Sequence, residues 1–296
     1  MATMRGNFAQ LLAPALMEVF FEKLKEHPEE YSQFLQVDTS ESAYEETQEM
    51  AGFGLAKKKY EGEPLTYDDP IQGGSKRWIH DAYALGWQVT KEMIDDEKYN
   101  IMSKMPGELM KSCRQLWEQI AANVLNLGFT TVTGFDGTAF FNNTHPLLGG
   151  GTFSNLLTPA ADLSMTALQD IIINFAYMVN NRGLKMKLSP TDIWMPPDLQ
   201  FTAKKILESN LEPFTGENQT NVLRSALKPH YLHFLTSPRA FHVSTSDSNE
   251  AKFFWRVKPV VDSVDDFDTK GTKHSIYFRV SAGVDEWRGW AASNPT

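Results

Sequence analysis

The chain has 296 residues, 42% apolar and 22% charged, the make-up of a globular protein with one large domain or two modest ones. Its 28 basic and 37 acidic residues leave a charge of −9, which argues against a protein whose main task is gripping phosphate backbones but not against a shell whose inner face meets packed nucleic acid. One cysteine, Cys113, excludes an internal disulfide and suits a reducing compartment, and no apolar run approaches the roughly 20 residues of a membrane span, so neither a signal peptide nor a span is supported.

The first periodic stretch runs from Phe8 to Lys25, where Phe8, Leu11, Leu16, Val19, Phe20 and Leu24 recur at helical spacing and Pro28 closes the run. It predicts an amphipathic helix, suited equally to packing on its own molecule or to exchange with a neighbouring one. From Thr39 to Thr90 the helical period disappears, and Gly52, Gly54, Gly62, Pro64, Pro70, Gly73 and Gly74 punctuate the chain. Ile79, Asp81, Tyr83, Leu85, Trp87 and Val89 alternate with His80, Ala82 and Ala84, the pattern of a strand, and Gly52 to Tyr60 is the expected antiparallel partner. The result is a two-stranded excursion with a long polar tip and too few apolar residues for a core of its own. Isolated hairpins are marginal in water, so the expected support is another subunit.

Lys57-Lys58-Lys59 sits on that excursion. It reads as a solvated edge that blocks aggregation, as a contact for acidic patches of a neighbour, or as the site of an isopeptide link to an Asn side chain. With Tyr60 and Trp78 these lysines form the candidate subunit-contact set: Lys57, Lys58, Lys59, Tyr60 and Trp78.

Glu97 to Gly128 predicts a long amphipathic helix. Ile101, Met105, Leu109, Cys113, Leu116, Ile120, Val124 and Leu127 form its stripe, with Lys111, Arg114, Gln115, Glu118 and Asn123 between them. Gly128 suits the stop, and Pro106-Gly107 predicts a kink or a short helix feeding a longer one. From Pro106 onward such a helix spans about 33 Å at ~1.5 Å per residue, enough for a spine.

Asp136-Gly137 is followed by His145-Pro146 and then Gly149-Gly150-Gly151. No lysine follows the glycines as a phosphate loop requires, and His145 has neither a metal-spaced partner nor a nucleophile elbow nearby. The glycines read as a flexible loop and His145 as its anchor. A hydrolase using His145 with Asp136 or Asp162 is the remaining chemical alternative. No catalytic residue, cofactor or metal site is otherwise expected.

From Asp162 a helix is expected, with Thr166 and Gln169 as a capping box, Leu168, Ile171, Phe175 and Met178 as its stripe, and Gly183 at its end. Ile193-Trp194-Met195 reads as a buried strand stopped by Pro196-Pro197, and Asp198 as the cap of a helix through Ala203, Ile206 and Leu207. A polar loop over Glu212 to Asn221 follows. In the last sixty residues, Phe253, Trp255 and Val257, then Ile276, Phe278, Val280 and Ala282, alternate as two strands joined by a charged connection, Ser263 to Lys273. Trp287-Arg288-Gly289-Trp290 reads as a packed terminal strand or a stacking site. The fold class is α+β.

The order of parts, arm, excursion, spine helix, central α/β unit and returning strands, resembles the major capsid protein of tailed bacteriophages, the Hong Kong 97 type of fold. Ala121-Ala122-Asn123-Val124-Leu125-Asn126-Leu127-Gly128-Phe129, then Asp136-Gly137, Phe141, Thr144-His145-Pro146-Leu147, Ser154-Asn155-Leu156, Asp162-Leu163-Ser164 and the closing Asp285-Glu286-Trp287-Arg288-Gly289 are similar to the major head subunit of Mu-like phages and prophages.

That resemblance implies an N-terminal arm over residues 1–41 and an extended β-hairpin loop over 42–90. It implies a peripheral domain from 91–148 and 238–296, and an axial domain over 149–237. It also implies self-assembly through hexamers and pentamers into an icosahedral shell around double-stranded DNA held without sequence-specific binding. A separate scaffolding protein and a portal are the expected partners, Met1 favouring a scaffold that is not part of this chain, and no membrane is involved. The expected location is the virion capsid, assembled in the host bacterial cytoplasm. An encapsulin-like compartment filled with cargo protein is the alternative that keeps the fold.

Overall fold

The computed structural model describes residues 29–96, 101–212, 219–246 and 250–295. The helix expected over 8–25 and part of the expected polar loop after Glu212 lie outside these. The chain forms two units: one from residues 29–45, 78–120 and 253–282, the other from 46–77, 121–252 and 283–295.

In the first unit, the alternation expected in the closing strands builds a four-stranded sheet. Its order is β1 (Gln36–Thr39), β10 (Ala251–Asp265), β11 (Thr272–Val284) and β4 (Asp81–Val89). β11 and β4 are antiparallel, with Phe278 opposite Tyr83 and His274 opposite Trp87. The same pairs stack at 5.5 and 4.6 Å between ring centroids, so aromatic cross-strand contacts hold the register. Ile276, Phe278 and Val280 are buried and Tyr277 is exposed, the faces their alternation predicts.

The spine helix, α3 (Ile101–Asn126), follows α1 (Tyr31–Phe34) and α2 (Lys91–Asp95) and runs unbroken through Pro106. Its 26 residues reach about 39 Å at ~1.5 Å each. Its inward face keeps Leu109, Cys113 and Val124 of the expected stripe but is rotated towards Met110 and Trp117. Met105 and Leu127 are exposed, while Met110, Arg114, Trp117 and Glu118 are buried. Trp117 sets the rotation: its indole packs edge-on to Trp255 at 5.1 Å and to Phe278 at 5.5 Å. Arg114 and Glu118 are buried because they are paired, Arg114 with Glu29 at 3.1 Å and Glu118 with the amides that open α1.

The excursion is paired differently from expectation. β2 (Tyr44–Ala51) pairs with β3 (Ile71–Ile79), residues 52–70 contain no strand, and β4 joins the four-stranded sheet instead. The long alternating run is divided at His80. That ring is buried, with Nδ1 2.9 Å from Ser281 Oγ and Nε2 3.1 Å from Ser40 Oγ. Burial there holds its pKa below the ordinary histidine value.

The second unit holds a sheet in the order β12 (Trp290–Ser293), β9 (Phe241–Ser244), β7 (Asp192–Met195), β8 (Lys228–Tyr231). β7 lies parallel to β8 and antiparallel to β9. The expected strand at 193–195 is its centre, with Ile193 and Met195 sealed. The helix after Asp162 is α4 (Met165–Tyr177), and its cap is Ser164 rather than Thr166, because the extended Ser164 accepts the Ala167 N–H at 3.2 Å. It ends at Tyr177, before Gly183. Asp198 falls in a 3₁₀ turn, Pro197–Leu199, ahead of α5 (Gln200–Glu208), and caps nothing. Ala203, Ile206 and Leu207 are buried as expected. β5 (His145–Pro146) and β6 (Thr152–Phe153) form a two-residue ladder.

Candidate functional site

The β2–β3 ribbon is fastened at its base by buried polar groups of the second unit. Lys76 Nζ donates to the carbonyls of Thr133 at 2.8 Å and Val284 at 2.5 Å. Burial pulls its pKa down to about 8 against the attraction of Asp285. Thr47 donates to Asp285 Oδ1 at 2.7 Å, and Asp285 Oδ2 accepts Lys252 at 2.9 Å. Burial alone would lower the Lys252 pKa, but the Asp285 and Glu250 carboxylates outweigh it and raise it.

Nearer the loop, Glu49 accepts the Asn181 side-chain amide and stands 3.8 Å from Arg288. Arg288 also bonds Glu286 at 2.7 Å, the Val179 carbonyl at 2.8 Å and Asn181 Oδ1 at 2.9 Å. Burial raises the Glu286 pKa despite that guanidinium. Arg182 closes the mouth, donating to the Gly52 carbonyl at 2.9 Å and to the Asp69 carbonyl. The backbones meet closely as well: a Cβ on Gly74 would collide with the Phe135 carbonyl.

Beyond this base the chain exposes large apolar side chains among its charges. Met50, Leu55 and Tyr67 are 71%, 79% and 88% exposed, and Phe53, Tyr60 and Leu65 are exposed with them. Six large apolar side chains within eighteen residues make an unusual surface for an isolated protein. The candidate residues Lys57, Lys58, Lys59 and Tyr60 are all exposed on this stretch, with Lys58 Nζ 4.7 Å above the Tyr60 ring. Trp78 is placed elsewhere: it is buried, 5.0 Å from Phe254 in the first unit, and presents no surface to another molecule.

His145 is an anchor, as its neighbourhood in sequence suggested. It is completely buried, with Nδ1 2.6 Å from Asp136 and 2.9 Å from Thr138, Nε2 3.0 Å from Asn155, and Trp287 stacked 4.3 Å away. Burial would raise the Asp136 pKa, but hydrogen bonds from His145 and Thr138 hold it below the ordinary value. Asp162 is exposed and does not join His145. A ring whose two nitrogens are both engaged and whose face is covered has no room for a substrate. Gly149 to Gly151 form a turn closed by the Leu147 N–H to the Gly151 carbonyl at 3.0 Å, not a phosphate cradle. Among the described residues no group of His, Cys, Asp and Glu could hold a metal ion, and no helix is long and apolar enough to cross a membrane.

The polar base of the ribbon was not legible beforehand. In the sequence Arg288 stands out as a cation between two tryptophans and as part of the closing motif, not as a partner of Glu49. It does lie 4.4 Å over Trp287, but buried within the protein.

The fold is that of phage shells. The chain matches the procapsid of bacteriophage JBD30 with a TM-score of 0.56 at 15% identity, over 99% of this chain and 77% of that one. Microbacterium phage Oxtober96 matches with a TM-score of 0.59 at 11% identity, over 91% and 93% of the two chains. The mature capsid of bacteriophage PhiM1 matches with a TM-score of 0.59 at 10% identity, over 90% and 86%. No curated protein matches the sequence. The family model described as phage capsid protein matches residues 79–293, and over that length the chain belongs to the phage capsid protein family.

Proposed function

We propose that this phage capsid protein is the major head subunit of a Mu-like phage or prophage with a Hong Kong 97 type fold. Many copies close an icosahedral shell through hexamers and pentamers around double-stranded DNA that they hold without sequence specificity. In this reading residues 1–41 are the arm, 42–90 the extended loop, 91–148 and 238–296 the peripheral domain, and 149–237 the axial domain. The role is structural, not enzymatic. Assembly takes place in the host cytoplasm with a separate scaffolding protein and a portal, and the product is the virion capsid.

The observation that carries this reading is the excursion: a ribbon fixed at its base by buried charges whose far end, from Met50 to Tyr67, exposes six large apolar side chains. A rigid foundation and an uncovered apolar end suit a surface completed by a second copy, and heterologous contacts of that kind close into rings and shells. Lys57, Lys58, Lys59 and Tyr60 are the contact residues of that end, and Trp78 secures the chain behind it. The test is electron microscopy of the expressed full-length protein, alone and with its scaffolding protein. Closed shells or capsomers are expected. A protein that stays monomeric at high concentration under both conditions, with residues 52–70 protected from protease, overturns the reading.

A further inference from the structure

The four-stranded sheet of the first unit turns one face to the spine helix, where Trp255 and Phe278 meet Trp117. By the alternation of a strand, Arg256 on β10 and Arg279 on β11 belong to the opposite face. Arg279 stands across from Ala82 of β4, and Tyr277, next on that face, stands across from Ala84. Ala82, Ala84 and Tyr277 are exposed, so small neighbours leave this face open beside the arginines.

The two guanidiniums converge on His80. Burial lowers the pKa of that ring, Glu45 and Asp81 oppose the fall, and Arg279 and Arg256 both add to it. One terminal nitrogen of Arg279 also lies 3.5 Å from the His80 carbonyl. β10 and β11 are neighbours in the sheet, so the pair sits side by side on one surface.

Neither arginine is neutralised there. Among the described residues no carboxylate makes an ion pair with Arg256 or Arg279, and the Nε–H of each is buried without a hydrogen-bond partner. Glu45 is engaged by the Ser40 hydroxyl at 2.6 Å, and Asp81 is exposed. Lys258, two residues beyond Arg256 on the same face, is exposed as well. Elsewhere the protein matches its enclosed arginines with acids, Arg114 with Glu29 and Arg288 with Glu286. A half-buried cation with an unanswered N–H carries a desolvation cost that an arriving anion would recover.

We propose that Arg256 and Arg279, with Lys258 at the margin, form a binding site for a phosphate group on the open face of this sheet. The site stands whether or not the chain closes a shell. A phosphate offers several oxygens to two planar guanidinium forks at once, whereas one carboxylate fills a single fork. Inorganic phosphate and the phosphodiester of a nucleic acid both carry that chemistry.

Thermal melts of the full-length chain in sodium phosphate and in sodium chloride of equal ionic strength test it. Phosphate should raise the melting temperature along a saturating curve, as a bound ligand does; its general salting effect does not saturate and is common to all variants. The double variant Arg256→Gln, Arg279→Gln should weaken binding by about tenfold or more. Arg256→Lys with Arg279→Lys should also weaken it, because a point charge replaces each fork. Lys204→Gln with Lys228→Gln, exposed in the second unit, should stay within about twofold of the parent. A short DNA duplex separates the two sources. A duplex that displaces phosphate from the parent and binds the glutamine variant less supports a nucleic acid backbone as the ligand; a duplex without effect, beside saturable phosphate, supports the free anion. The site is overturned if phosphate does no more than chloride in the parent, or if the glutamine variant responds as the parent does. Equal stabilisation by sodium glutarate also overturns it, in favour of carboxylates from another protein.

Discussion

Glu118 caps the helix that begins at Tyr31, eighty-seven residues earlier in the chain: its Oε2 accepts the Tyr31 N–H at 2.9 Å and its Oε1 accepts the Glu30 N–H at 3.1 Å. Neighbouring Arg114 holds Glu29 at 3.1 Å and stands 3.9 Å from Glu118. A side chain of the spine thereby fixes residues 29–34 within the first unit. Glu118→Ala strands two amides and leaves Arg114 without one of its acids. Its expected cost is about 2–4 kcal/mol, read as a lower midpoint in urea, with faster hydrogen exchange confined first to residues 29–35. A change of less than about 0.5 kcal/mol would show that solvent replaces the cap without loss.

Gly74 has no room for a side chain, because a Cβ there would collide with the Phe135 carbonyl. Gly74→Ala must push the ribbon away from residues 133–135 or distort it, at a cost of about 1–3 kcal/mol. Amide exchange should rise along Tyr44–Ala51 and Ile71–Ile79 while the sheet built on Asp192–Met195 stays protected. Uniform loss of protection, or none, contradicts a local foundation for the ribbon.

Lys76 is charged in an enclosed place, its pKa drawn down to about 8 from 10.5 by burial. Below pH 8 both folded and unfolded chains bind the proton, and the full cost of burying it is present. Between pH 8 and 10.5 the folded protein releases it and the unfolded chain keeps it, so stability from this group rises with pH. Thermal melts of the parent should therefore gain relative to Lys76→Met across that interval. Parallel curves for the two proteins would disprove the assignment.

His242 sits at the centre of the second sheet, 1% exposed, between Phe129 at 5.6 Å and Phe141 at 5.0 Å. Its Nδ1 has no hydrogen-bond partner among the described residues, and burial takes its pKa from 6.5 to about 3. The unfolded chain gains a proton below pH 6.5 that the folded one refuses until about pH 3. Stability is intact above 6.5 and falls on acidification through that window by up to ~1.4 kcal/mol per pH unit. His242→Phe should remove that one-proton slope in denaturant titrations between pH 6 and 4. A variant as acid-sensitive as its parent would place the titrating group elsewhere.

The sequence by itself determined the α+β class, the spine helix, the closing strands with Ile276, Phe278 and Val280 inward, and the structural role of His145. Each depends on neighbours close in sequence or on a period of 2 or 3.6, which local spacing records. Only the tertiary structure decided that Arg114 and Glu118 lie inside, that His80 divides one alternating run between two sheets, and that Lys76, Asp285, Arg288 and Glu49 form the base of the ribbon. A charged residue reads as solvent-facing until its partner is known. These partners stand up to 239 positions apart, as Glu49 and Arg288 do, a separation that leaves no periodic trace. The strand-divided excursion failed for the same reason: pairing is chosen by which distant edge offers hydrogen bonds, not by the alternation of the strand that seeks them.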